Sequence, residues 1–158
     1  MITVGEPAPD FTLPDQEKRP VALSALRGSP VLLVFYPAAF SGTCTAEMCA
    51  IRDDWSAFET RGVRVLGISV DSTHALAAWR REQGFTHDFL SDRWPTGTVA
   101  KLYDSWNEGT GQAQRGSFLI DADGVVRGTW RTEGPVARDL HAYLDALDAL
   151  DALAPTTA

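Results

Sequence analysis

Six apolar residues in succession, Val31-Leu-Leu-Val-Phe-Tyr36, end abruptly at Pro37. The run is short, rich in β-branched and aromatic residues, and leaves no polar face. A strand of that kind must be covered on both sides, which places it at the centre of an α/β sheet. The segment that follows, from about Thr43 to Arg61, contains neither proline nor glycine and predicts a helix. Arg61 and Gly62 supply a cationic last turn and a glycine stop. The strand and helix together leave the loop at Pro37–Ser41 as a tight turn at the carboxyl end of a buried strand.

The remaining pattern extends this beginning. Residues 1–20 hold Pro7, Pro9, Pro14 and Pro20 and read as an extended, turn-rich lead-in. Val63–Val70 predicts a second strand, and Asp71 or Ser72 caps a helix that runs to about Gln83 before Gly84. Phe89-Leu90 predicts a short strand and Thr98–Tyr103 a brief helix. Ser117–Ile120 and Val125–Trp130 flank Asp121-Ala-Asp-Gly124, a hairpin signal. A last helix is expected from about Pro135 to Leu153, with a frayed tail over Pro155–Ala158. Parallel strands early and an antiparallel hairpin late predict a mixed sheet with helices on both faces, three layers in all. No linker interrupts the chain, so residues 1–158 are expected to form one domain.

Composition narrows the function classes. The 158 residues carry a formal net charge of −7, which opposes the clustered basic surface that nucleic acid requires. No apolar run approaches the length of a membrane span. The start, MITVGEPAPDF, has neither the basic nor the apolar region of an export signal, so a cytoplasmic location is expected. Two cysteines, Cys44 and Cys49, are too few for a secreted disulfide framework.

Cys44 falls in the first turn of the predicted helix. Unpaired backbone N–H groups and the positive end of the helix dipole favour an anion there, so a cysteine at that place is suited to react as thiolate. Ser41 lies three residues earlier and can donate a hydrogen bond to the sulfur or to a bound oxygen. Pro37 removes one backbone donor and stiffens the turn. By residue type alone a buried, inert thiol is the better reading of Cys44; its place at a strand-to-helix turn favours the reactive one.

The spacing Pro37-x-x-x-Ser41-x-x-Cys44 resembles the active-site motif of the peroxiredoxins. Ala8-Pro9-Asp10-Phe11-Thr12-Leu13, Gly67-Ile68-Ser69-Val70-Asp71, Phe89-Leu90-Ser91-Asp92 and Gly116-Ser-Phe-Leu-Ile-Asp121 resemble other signatures of that family, over about residues 3–150. Ser91–Gly97 and Trp106-Asn-Glu with Arg115-Gly116 are similar to the alkyl hydroperoxide reductase E branch. Cys49 departs from it and is similar to the bacterioferritin comigratory protein/PrxQ branch. The resemblance implies a thioredoxin-like three-layer α/β/α fold and a thiol peroxidase without metal, flavin or nicotinamide. It implies Cys44 as peroxidatic cysteine and Cys49 as resolving cysteine, with Pro37, Ser41 and Arg115 forming the peroxide pocket. Glu47 would orient the arginine, or simply be an acid favoured by the helix dipole, and Phe40 would line space for organic substrates. The implied partners are a hydroperoxide and either a thioredoxin-like protein or a low-molecular-weight thiol, in a monomer or a homodimer.

The spacing of the cysteines adds a geometric constraint. Residues i and i+5 of an ideal helix differ by about 140° in direction, with Cα atoms ~8–9 Å apart. A disulfide tolerates a separation up to about 7 Å. Joining Cys44 to Cys49 therefore requires the helix to unwind. Other readings stay open on the residues alone. Two close cysteines suit Cu(I) in a metal-binding module, a dithiol oxidoreductase normally uses Cys-x-x-Cys, and Cys49 can be a space-filling residue. Gly109-Thr-Gly111 lacks the context of a dinucleotide loop, and His74, His87 and His141 are remote from the cysteines in sequence.

Overall fold

In the structure, a computed structural model, residues 2–153 are described; the tail at Pro155–Ala158 lies outside them. Two short strands, β1 (Thr12–Pro14) and β2 (Pro20–Ala22), pair antiparallel and lead through a 3-10 turn into β3 (Val31–Phe35). Every residue of β3 is buried. Full burial of each such side chain is worth about 1.5–3 kcal/mol, which makes this strand the stable centre of the sheet. Helices α1 (Gly42–Asp53) and α2 (Trp55–Glu59), strand β4 (Arg64–Ser69), helix α3 (Thr73–Gln83) and strand β5 (Asp88–Ser91) follow. Helix α4 (Thr98–Leu102), the small ribbon β6 (Trp106–Asn107) and β7 (Gln112–Ala113), the hairpin β8 (Arg115–Ile120) and β9 (Val126–Thr132), and helix α5 (Leu140–Leu153) complete the chain.

The main sheet has the order β5-β4-β3-β8-β9. β4 pairs parallel with β3 and β5 parallel with β4, whereas β8 pairs antiparallel with both β3 and β9. The mixed sheet expected from the sequence is therefore present, with β3 in the middle. Alternation along the strands sorts the core into two layers. Leu33, Phe35, Leu66, Ile68, Leu90 and Phe118 pack with Val99 and Tyr103 around α4 and with Phe11 and Leu13 of the lead-in. Leu32, Val34, Val65, Phe89 and Leu119 face Met48 and Ile51 of α1, Leu76 and Trp79 of α3, and Tyr143 and Leu147 of α5. This is the three-layer α/β/α arrangement. No helix among the described residues is long and apolar enough to cross a membrane.

Two expectations need correction. The helix expected from Thr43 to Arg61 is broken at Asp54, whose backbone leaves helical geometry at φ −109°, ψ 26°. Asp53 and Asp54 are poor helix formers and oppose the negative end of the helix dipole. The break lets Phe58 bury and Trp55 stack on it at 6.4 Å. The last helix begins at Leu140 rather than Pro135, because Asp139 caps it by accepting the His141 N–H at 2.9 Å. Residues 135–139 are instead drawn towards α1. The β6–β7 ribbon has no counterpart in the sequence reading. Elsewhere Ser72, not Asp71, caps α3, accepting from Ala75 N–H, and Gly84 ends it at φ +66°.

Gly67 sits at the crowded centre of β4. A Cβ there would lie 2.7 Å from a ring carbon of Phe89 and 3.3 Å from the Tyr36 ring. Gly67→Ala should therefore cost about 1–3 kcal/mol through overpacking, read as a lower urea midpoint with an unchanged slope.

Candidate active site

The loop after β3 is built by a few directed hydrogen bonds. Tyr36 N–H is held by the Ile68 carbonyl at 3.1 Å, so the chain stays in register with β4 up to the turn. Asp71 Oδ2 then accepts the Ala39 N–H at 2.8 Å and the Ser69 hydroxyl at 2.6 Å. Phe40 adopts φ +67°, a strained conformation for a residue with a side chain. Its ring is half exposed and lies 6.1 Å from that of Trp79. Ser41 is the N-cap of α1, and its Oγ accepts the Cys44 N–H at 3.3 Å. Cys44 is thus the third residue of the helix, and it is completely buried. The Ser41 hydroxyl keeps its own hydrogen free to donate.

One turn further along α1, Glu47 is buried and receives two guanidinium groups. Arg115 Nη1 donates to Glu47 Oε1 at 2.5 Å, and Arg115 Nε donates to the Gly134 carbonyl at 3.1 Å. Arg138 donates to the same carboxylate from Nε at 2.8 Å, from Nη2 at 3.0 Å and from its backbone N–H at 2.8 Å. Its Nη1 reaches the Phe35 carbonyl at 2.6 Å and Ser117 Oγ at 3.1 Å. Ser117 in turn shares a 2.7 Å hydrogen bond with the Tyr143 hydroxyl. Burial pushes the Glu47 carboxyl up, but the Arg138 hydrogen bonds and charge, with the Arg115 charge, outweigh it. The group lies below its ordinary value of 4.5 and is a carboxylate at neutral pH.

Of the residues singled out in the sequence, Pro37, Ser41, Cys44, Glu47 and Arg115 gather at the carboxyl end of β3. Pro37 and Arg115 line one cleft of about 540 Å³, together with Gln114, Arg131, Gly134 and Pro135. Phe40 is not part of its lining, nor are Trp94, which is 88% exposed, and Trp106, which packs on the α4 side of the core. Arg138 is the residue that sequence reasoning misses. It lies in a stretch that reads as helix, and its carboxylate partner is 91 positions away. No local signal marks it.

Cys49 lies on the far side of α1, half-buried, with Sγ 3.8 Å from Gln83 Oε1 of α3. Both thiols are free and α1 is continuous between them. Met48, between the two, has its sulfur 3.3 Å from His87 Nε2. Burial first, and then the Arg80 charge, push His87 down to about 3, so it is neutral at pH 7. His74 and His141 are exposed.

A buried cysteine at a capped helix start thus lies one turn from a carboxylate that binds two arginines, at the end of the central strand of a three-layer α/β/α sheet. Residues 4–129 match the model of the AhpC/TSA family. Alkyl hydroperoxide reductase E of Mycobacterium tuberculosis is 42% identical over 153 residues, spanning 96% of this chain and 100% of that protein. Chloroplastic peroxiredoxin Q of Sedum lineare is 34% identical over 154 residues, spanning 94% of this chain and 80% of that one. The crystal structure of peroxidoxin BcpB from Mycobacterium tuberculosis superposes with a TM-score of 0.84 at 34% identity, over 98% of this chain and 99% of that one. The chain belongs to the AhpC/TSA family, the peroxiredoxins, and is a thiol peroxidase.

Removing one partner of a buried ion pair leaves charge uncompensated, typically at a cost of about 3–5 kcal/mol. Glu47→Gln strands two guanidinium groups and should lower stability by that order, measured by urea unfolding of the reduced protein at pH 7. The sign with pH follows from the lowered value. A carboxyl held below 4.5 when folded stabilises the protein above that pH. The contribution fades as pH falls through the folded value. Unfolding curves should show wild-type stability dropping in this acid window, and Glu47→Gln should flatten that part of the profile.

Proposed function

We propose that Cys44 is the peroxide nucleophile and Cys49 its resolving partner, in an enzyme that reduces hydrogen peroxide and organic hydroperoxides in the cytoplasm. The observation that carries this reading is the placement of buried Cys44 in the capped first turn of α1, one turn from the Glu47–Arg115–Arg138 cluster. The Cys44 thiolate attacks the terminal oxygen of ROOH. The O–O bond breaks, sulfur is oxidised to sulfenic acid, and RO⁻ takes a proton to leave as ROH. The Ser41 hydroxyl, with its hydrogen free, orients the attacking sulfur or the bound oxygen. Arg115, held by Glu47 and the Gly134 carbonyl, presents fixed positive charge to the leaving oxygen. Pro37 and Arg115 line the cleft through which the substrate enters. Exposed Phe40 offers an apolar contact to the organic group of larger hydroperoxides.

In the second step the Cys49 sulfur attacks Cys44 sulfenic acid, forming the disulfide and releasing water. A thioredoxin-like protein or a small thiol supplies two electrons and two protons to restore both thiols. The intact α1 holds the cysteines about 140° apart around the helix, so the second step needs the helix open.

Reduced protein mixed for seconds with one equivalent of hydrogen peroxide, then alkylated and weighed intact, tests the assignment. Wild type should lose two hydrogens and resist alkylation. Cys49→Ser should gain oxygen, and Cys44→Ser should remain unchanged. Fully alkylatable thiols in all three would remove Cys44 as nucleophile. Hydrogen exchange of the oxidised wild type should show lost protection from Gly42 to about Asp53, and a helix equally protected in both redox states would exclude Cys49 as the resolving partner.

A further inference from the structure

Phe40 directly precedes the Ser41 cap and has φ +67°. A bulky residue keeps that conformation only where its surroundings impose it. Its side chain gives limited hold, being 52% exposed with its ring 6.1 Å from that of Trp79. The backbone gives more. Ala39 N–H donates to Asp71 Oδ2 at 2.8 Å. Among the described residues, no other hydrogen bond ties residues 37–40 to another element.

Asp71 follows β4, the parallel neighbour of β3, so its side chain reaches the loop between β3 and α1 sideways along the carboxyl edge of the sheet. Two hydroxyls fix it. Ser69 is fully buried and donates to the same Oδ2 at 2.6 Å, while its Oγ accepts the Asp71 N–H at 3.3 Å. Ser91, buried at the end of β5, donates to the Asp71 carbonyl at 2.6 Å. The carboxylate is not used to cap α3, a place taken by Ser72. Its negative charge can only oppose a thiolate, so any benefit to Cys44 comes through geometry. The path is short: two positions after Ala39 comes Ser41, whose Oγ accepts the Cys44 N–H at 3.3 Å.

We propose that Asp71 is a positioning residue for attack by Cys44: fixed by Ser69 and Ser91, its carboxylate anchors Ala39 and so keeps Phe40 in the left-handed region and Ser41 over the start of α1. This rests on the reading of Cys44 as the peroxide nucleophile. Asp71 exchanges no proton or electron with sulfur or peroxide. Without the anchor, Phe40 relaxes towards ordinary backbone angles and the chain at Ser41 moves with it. The consequence falls on the first step, because opening α1 for the second does not use the cap.

The test compares Asp71→Ala with Asp71→Asn. Both lose the charge, but asparagine keeps an oxygen that can accept the Ala39 N–H. Stopped-flow tryptophan fluorescence at varied hydrogen peroxide follows the first step, and circular dichroism gives the folded fraction. Per folded molecule, Asp71→Ala should react with peroxide about ten-fold more slowly than wild type, the effect of one hydrogen bond to a charged group. Asp71→Asn should recover most of that rate. The later disulfide-forming step should not be slowed in either. If Asp71→Ala does not fold, Ser69→Ala takes its place: it removes a donor that fixes the carboxylate and should slow the first step about three-fold with Asp71 present. An unchanged first step in the folded variants, equal losses in Asp71→Asn and Asp71→Ala, or equal slowing of both steps would overturn the inference and leave the Cys44 assignment standing. A Cys49→Ser protein that gains no oxygen from hydrogen peroxide would overturn the Cys44 assignment itself, and this inference with it.

Discussion

Glu47 is the carboxylate on which the geometry of the site depends. It stands on α1, and it binds Arg115 from the start of β8 and Arg138 from the turn before α5. Two segments far apart in the chain are thereby tied to one turn of helix. The same Arg138 reaches back to the Phe35 carbonyl at the end of β3, so the cluster also grips the central strand. Each charge in it would be expensive alone in the core. Together they satisfy one another, and two guanidinium groups on one carboxylate leave a positive excess held one turn from the start of α1.

The second organising constraint is that α1 serves two incompatible demands on the reading proposed for the cysteines. Nucleophilic attack uses the helix start, where Ser41 caps Cys44 and backbone N–H groups converge. Resolution by Cys49 uses a helix that has opened. The structure shows what holds it closed. Arg52 Nη1 donates to the Gln83 carbonyl at 2.6 Å, Cys49 faces Gln83 Oε1, and Met48 sits against His87 in a box of Trp55, Phe85 and Phe89. These contacts bind the middle of α1 to α3 and β5. Glu47, also between the two cysteines, adds its bonds to Arg115 and Arg138, so opening α1 must release those groups as well.

Much of this was legible in the chain itself. The unbroken apolar run at Val31–Tyr36 demanded a doubly covered strand, and β3 is that strand because a period of two with no polar residue leaves no face for water. Gly84 stopped α3 as expected, at φ +66°, whereas α2 already ends at Glu59 with Thr60 as its cap, ahead of Gly62. Pro37, Ser41 and Cys44 were readable because their spacing is local: a strand end, a cap and a first helical turn lie within eight residues. The break at Asp54 and the late start of α5 were not readable. Helix boundaries there are decided by what Trp55, Phe58 and Arg138 contact in three dimensions.

The sequence alone thus determined the class of sheet, the position of Cys44 at a helix start, and the geometric conflict between Cys44 and Cys49, since each follows from neighbours along the chain and from fixed helical dimensions. Only the tertiary structure decided that Glu47 is a shared acceptor rather than a solvated first-turn acid, and that Arg138 shares it. Burial and ion pairing across 68 and 91 residues depend on how the sheet orders its strands and packs its helices. No local pattern encodes that order, because the energy of a buried charge is set by the groups that reach it through space.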